Sequence, residues 1–157
     1  MTVTLAQLTE RSGLDVLDHL EREAAVPVID GLQAQGDLIV VPRRFVVDDV
    51  DLPDGEWWSE VPPEGVEVLR SASGGNPHTL VADPGTCRWT TVVRDRSFLA
   101  LGAITTTAAY LVHAGHGATG IAPGGYVARR QREGTGNVAV RRASPSSRSA
   151  VTWLVAD

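Results

Sequence analysis

The sequence predicts a mainly β domain: a small sandwich, barrel or β-clip-like fold of about nine short strands, preceded by an N-terminal helical arm. Two observations carry this. Short runs rich in Val, Ile and Thr recur along most of the chain, separated by Gly- and Pro-containing turns. Helical periodicity is confined to the first 25 residues. The expected division is therefore an arm over 1–25 and a β-rich domain over 26–157.

In the arm, Thr4-Leu-Ala-Gln7 has the spacing of a capping box, with Thr4 as N-cap and Gln7 three residues into the helix. A short helix should reach Arg11 and stop at Ser12-Gly13. Leu14, Leu17 and Leu20 then repeat at helical spacing opposite Asp15, Asp18, Glu21 and Glu23, until Pro27 ends the pattern. Two helices around a glycine turn suggest a DNA reader, but phosphate would repel so acidic a second helix. The apolar stripe of Leu14, Leu17 and Leu20 fits docking on a sheet, or on a partner protein.

The β region begins with strand-like runs at Val26–Ile29 and Asp37–Val41, with Gln35-Gly-Asp37 as the turn between them. Phe45–Val47 could extend the second run past Pro42. An acidic, proline-containing loop over Asp48–Pro63 carries the tandem Trp57-Trp58, either a lid on the core or an interface anchor. Val66–Leu69, Thr79–Ala82, Cys87–Val93, Ser97–Ala100, Ile104–Val112 and Tyr126–Arg132 read as further strands. Val138–Val140 and Val151–Val155 follow. There is no internal repeat, and the only low-complexity patch is Ser144–Ser149.

Cys87 is the single cysteine, so no internal disulfide and no cysteine zinc site can form. Met1–Ala6 has no basic lead into an apolar core and no apolar run reaches membrane-spanning length, so neither secretion by a signal peptide nor a bilayer span is expected. Every basic residue is arginine, and charge is uneven: residues 1–67 carry net −11 and residues 68–157 net +6. The halves either neutralise each other within one domain or join one subunit to the next.

The densest stretch in unusual residues runs from Leu111 to Glu133. It contains His113 and His116, which with His78 are the candidate ligand-binding groups. His113-x-x-His116 could begin a metal site, but no carboxylate lies between Arg96 and Arg132 to complete it. The alternative is that both histidines cap a glycine-rich hairpin. The glycines have no Gly-Lys-Ser/Thr context and are not a phosphate loop. There is no Gly-x-Ser-x-Gly elbow. No catalytic set, metal or cofactor is therefore expected. Arg129, Arg130 and Arg132 form a basic strand that lacks interleaved aromatics, so an acidic protein partner is expected in preference to nucleic acid.

His116, Pro123-Gly-Gly-Tyr126, Arg129-Arg-Gln-Arg-Glu133 and the closing Val155-Ala-Asp157 resemble motifs of a family of small, uncharacterised β-rich proteins from bacteria and their phages. Gln35-Gly-Asp-Leu-Ile-Val-Val-Pro42 is similar to that family's opening strand. The chain departs from the pattern where Gly115 replaces a carboxylate, and where only Asn76-Pro-His78 stands for a Gly-His-rich segment. The resemblance implies a β fold and an association with phages.

Taken together, these features lead to the expectation of a non-enzymatic structural protein, a virion component such as a capsid decoration or minor head protein. Its partners would be itself, a capsid protein or another assembly protein, with no membrane. Leu14, Leu17, Leu20, Trp57, Trp58, Arg129, Arg130 and Arg132 would carry the contacts. The alternative is a ligand- or metal-binding module, or a hydrolase, built on His78, His113 and His116.

Overall fold

Three side-chain layers, and the period-2 alternation that feeds them, organise the molecule. The structure, a computed structural model, describes residues 3–14, 16, 25–70 and 75–131. Among these are one α-helix, α1 (Leu5–Ser12), and thirteen strands. They are β1 (Val28–Ile29), β2 (Gln33–Gln35), β3 (Leu38–Pro42), β4 (Val50–Asp51), β5 (Ser59–Glu60), β6 (Val66–Arg70) and β7 (Pro77–Val81). After these come β8 (Cys87–Thr90), β9 (Arg94–Asp95), β10 (Ala100–Thr106), β11 (Ala109–His113), β12 (Gly117–Ile121) and β13 (Gly124–Arg130).

One sheet has the order β1-β12-β11-β7-β6 and the other β2-β3-β13-β10-β8-β5; β4 and β9 form a separate ribbon. Every pairing is antiparallel except β1 with β12. Among the described residues the arrangement is a sandwich with no closed barrel. Leu80, Leu111 and Ile121 from the first sheet meet Leu38, Val40, Trp89, Ile104, Tyr126 and Ala128 from the second in the central layer. Their neighbours point the other way. Val81 and Val112 face Leu5, Leu8, Val16 and Val26 on the outer side of the first sheet. Val41 and Val127 face Val46 and Val50 on the outer side of the second. Both faces of these strands are covered, which is why they read as continuous apolar runs.

Helix α1 forms as its capping box predicts. Thr4 Oγ1 accepts from the Gln7 N–H at 3.2 Å, and Gln7 Oε1 accepts from the Thr4 N–H at 2.9 Å. Gly13 ends the helix at φ +73, its N–H bonded to the Thr9 carbonyl. Leu5 and Leu8 are buried, each stabilising the docked helix by about 1.5–3 kcal/mol. Arg11 pairs with Asp83 at the rim. The helix thus lies on this chain's own sheet. Leu14 packs partly into the same layer. Leu17 and Leu20 lie outside the described residues, as do Arg132 and the strands expected beyond it.

Several expected elements differ. The strand before the Gly36 turn is Gln33–Gln35, not Val26–Ile29, of which only Val28 and Ile29 are β. Phe45 does not extend β3: Arg43–Phe45 turn in a 3-10 helix, and the Asp49 and Val50 N–H groups both reach the Val46 carbonyl. That turn drives Val46 inward and leaves Phe45 and Val47 outside. The loop over 48–63 contains β4 and β5, and the strand count exceeds nine because such short pairings carry little apolar signal. Ser97–Leu99 is a turn, with the Phe98 N–H on the Asp95 carbonyl. The run at Ile104–Val112 is two strands in different sheets. The chain crosses between them at Thr107-Ala108, where the Thr107 N–H and Thr106 Oγ1 both donate to the Thr86 carbonyl.

Candidate functional site

Two strand ends and one hairpin turn bring His78, His113 and His116 together. Ring centroids lie 4.4 Å apart for His78 and His113, 4.5 Å for His113 and His116, and 6.3 Å for His78 and His116. His78 sits in β7 and is 4% exposed. His113 ends β11, and His116 stands in the turn to β12, so the two do cap a glycine-rich hairpin.

The floor of the cluster is Gly36. A two-residue hairpin loop between Gln35 and Leu38 calls for a positive φ at its first central position, and Gly36 has φ +56. A Cβ there would stand 3.0 Å from His116 Nε2 and 3.3 Å from His78 Cε1. The missing side chain therefore admits both rings.

Hydrogen bonding fixes the tautomers. The buried Gln35 amide donates from Nε2 to the Leu111 carbonyl at 3.2 Å, so its Oε1 faces His78 Nδ1 at 2.8 Å. That nitrogen must carry the proton, leaving Nε2 as the ring's basic nitrogen. His113 is the reverse. Its Nδ1 accepts from the Gly115 and His116 N–H groups at 3.0 and 3.1 Å, which puts the proton of the neutral ring on Nε2. Burial, reinforced by the other two imidazoles, lowers the His78 pKa to about 4. Burial and His116 also lower that of His113, opposed by a hydrogen bond at the Asn76 backbone and the charge of Asp37. At neutral pH both rings are uncharged.

This donor set does not suit a metal ion. The His113 Nδ1 lone pair is used by the turn. Among the described residues, no group of three or more His, Cys, Asp or Glu converges to hold an ion. Cys87 is buried, and burial raises its thiol pKa to about 11, which keeps it inert near neutral pH.

The cluster also lies on a seam between the sheets. Gln33, beside Gln35 on β2, donates to the Gly120 carbonyl at 3.2 Å and accepts from Thr119 Oγ1 at 2.7 Å. Two buried glutamines at alternate positions of an edge strand thus tie it to the opposite sheet. Their spacing in Gln33-Ala-Gln35 was the available sequence signal.

The expected contact residues are dispersed. Trp57 is 57% exposed, whereas Trp58 is half-buried with Nε1 donating to the Pro53 carbonyl. Arg130 is exposed at the end of β13. Arg129 turns inward to Asp95, at 3.0 Å, where the carboxylate side chain is 3% exposed. Burial alone would raise the Asp95 pKa, but hydrogen bonds from Ser97 and the charge of Arg129 hold it below the usual carboxylate value. Asp95 Oδ1 and Oδ2 also accept from the Ser97 N–H and Oγ–H at 2.9 and 2.8 Å. This braced turn displays Phe98, 87% exposed and at φ +60, the one non-glycine residue with positive φ among those described. Sequence reasoning missed it, because nothing in the sequence marks a bulky residue for that conformation.

The described residues thus form a β-sandwich with an imidazole cluster on its inter-sheet seam and an aromatic side chain held out on a braced turn. The chain belongs to a family described as a domain of unknown function (DUF8820), whose model matches residues 34–131. That span includes Gln35, all three clustered histidines, Phe98 and Arg129. No curated protein and no solved structure matches the chain.

Proposed function

We propose that this chain is a non-enzymatic assembly protein acting through protein–protein contacts and, in its finer reading, a phage virion component such as a capsid decoration or minor head protein. The presentation of Phe98 carries the proposal. A left-handed conformation costs an L-residue about 1–2 kcal/mol. Phe98 adopts it while burying almost none of its ring, on a turn held by a buried ion pair. Strain of this kind persists only where the surroundings over-determine it, and it gathers at functional positions. Exposed aromatic side chains on rigid supports are natural interface anchors.

The surroundings suit a second copy of the chain. Phe45 and Val47 are exposed just before β4, and the Arg44 guanidinium lies 4.7 Å over the Phe45 ring. Arg94 and Arg96 on the β9 side and Asp48, Asp49 and Asp51 on the β4 side are all exposed. A rim bearing both signs can complement its own copy, and the split between the acidic and basic halves supports the same choice. Phe98→Asp is the test. The wild-type protein should self-associate, and the variant should not. Equal self-association in both would contradict the proposal.

The meeting of the three imidazoles favours a second reading, a small-ligand module using His78, His113 and His116. It requires a bound small molecule in the purified protein that His116→Ala releases.

A further inference from the structure

We propose that the turn between β11 and β12 is an acid-released latch: neutral His113 holds the turn through Nδ1, and protonation of the histidine cluster lets it go. This stands independently of the assembly reading.

The geometry makes the coupling direct. In neutral His113 the proton sits on Nε2, so a second proton can enter only at Nδ1. That atom already accepts from two backbone N–H groups at 3.0 and 3.1 Å. Protonation would set a third donor against those two, and the turn over Ala114–His116 would have to move away. The bond pattern is that of an Asx turn, in which a side-chain oxygen accepts from the N–H two residues on. Here an imidazole nitrogen takes the oxygen's place, so the turn acquires a titration that Asn would not have.

The groups around His113 set the pH at which this occurs. His78 faces it from β7 and His116 from the turn itself, and either imidazolium would repel a second. Asp37, from the β2–β3 turn, and the Asn76 backbone favour the charged form. Gln35 is neutral and cannot compensate a charge on His78. Burial, reinforced by His116, prevails, so the folded pKa lies below 6.5. With a depressed folded value, the latch is intact above the unfolded pKa and is lost as pH falls through the folded one. Opening would withdraw His116 from above Gly36 and loosen the seam where β2 meets the other sheet.

Amide exchange followed by NMR tests this in the full chain, comparing wild type with His113→Asn. Protection factors of the Gly115 and His116 amides should fall about tenfold or more from about pH 7.5 to about pH 4.5 in the wild type. In His113→Asn the amide oxygen accepts at every pH, and protection there should stay flat. The Val127 and Ala128 amides, central in β13, should keep their protection throughout. Constant protection in the wild type would overturn the latch, as would a parallel fall in His113→Asn. So would simultaneous loss at Val127 and Ala128, which would mean global unfolding.

Discussion

Replacing Phe98 by Asn should make the protein more stable. At φ +60 the phenylalanine carries a conformational penalty of about 1–2 kcal/mol, whereas Asn enters the left-handed region far more readily. The opposing loss is small, because Phe98 is 87% exposed and little apolar area is surrendered. The N–H bond to the Asp95 carbonyl and the Asp95–Ser97 bonds do not involve the Phe98 side chain. The expected gain is about 1 kcal/mol, which for a chain of this size raises Tm by about 3 °C. Urea unfolding followed by Trp fluorescence, at concentrations low enough to keep the protein dispersed, measures it. Gly is a poorer choice, since its greater freedom in the unfolded chain offsets about 0.5–1 kcal/mol of the relief. A loss of about 1 kcal/mol or more in Phe98→Asn would refute the reasoning: the ring would then be packing within its own fold rather than standing out from it.

Three further outcomes concern the seam and a fourth the packing of β10 on Trp89. Gln35→Ala strips the partner from His78 Nδ1–H and the side-chain donor from the Leu111 carbonyl, and should cost about 2–4 kcal/mol in urea unfolding. Gln35→Glu instead places a carboxylate against that ring, and NMR titration should find the His78 pKa raised well above its value of about 4. In the wild type, the stability contributed by neutral His78 is fully present above pH 6.5 and declines as pH falls towards about 4, by at most about 3 kcal/mol; urea midpoints across that window should fall accordingly. Gly102→Val would drive a side chain into the Trp89 ring, since even a Cβ would lie 2.4 Å from it, and soluble expression should drop sharply.

The legible parts of the sequence were those with a local cause. Thr4 and Gln7 announce their helix because a capping box is closed within four residues. The alternation in Val40-Val41, Leu80-Val81 and Leu111-Val112 follows from pleating, although only the fold shows that both faces of these strands are covered. His113 and His116 could be read as capping a hairpin because Gly115 and Gly117 surround them. The arrival of His78 beside them depends on the pairing of β7 with β11, which no local pattern encodes. The crossing at Thr107-Ala108 was hidden because three consecutive threonines favour strand on either side of it, and what breaks the run is a bond to Thr86, some twenty residues away. Arg129 reads as part of a basic face until Asp95, from a distant ribbon, draws it inward. Phe98 had no signal, since its conformation is imposed by Asp95, Ser97 and Arg129 acting together.

Absolute mass in solution most directly tests whether this protein works by contact with its own kind. Light scattering after gel filtration, at low and high salt, should give a defined oligomer for the wild type that salt weakens, and a monomer for Phe98→Asp with the fold intact by circular dichroism. A wild-type monomer under all these conditions, indistinguishable from Phe98→Asp, would contradict it.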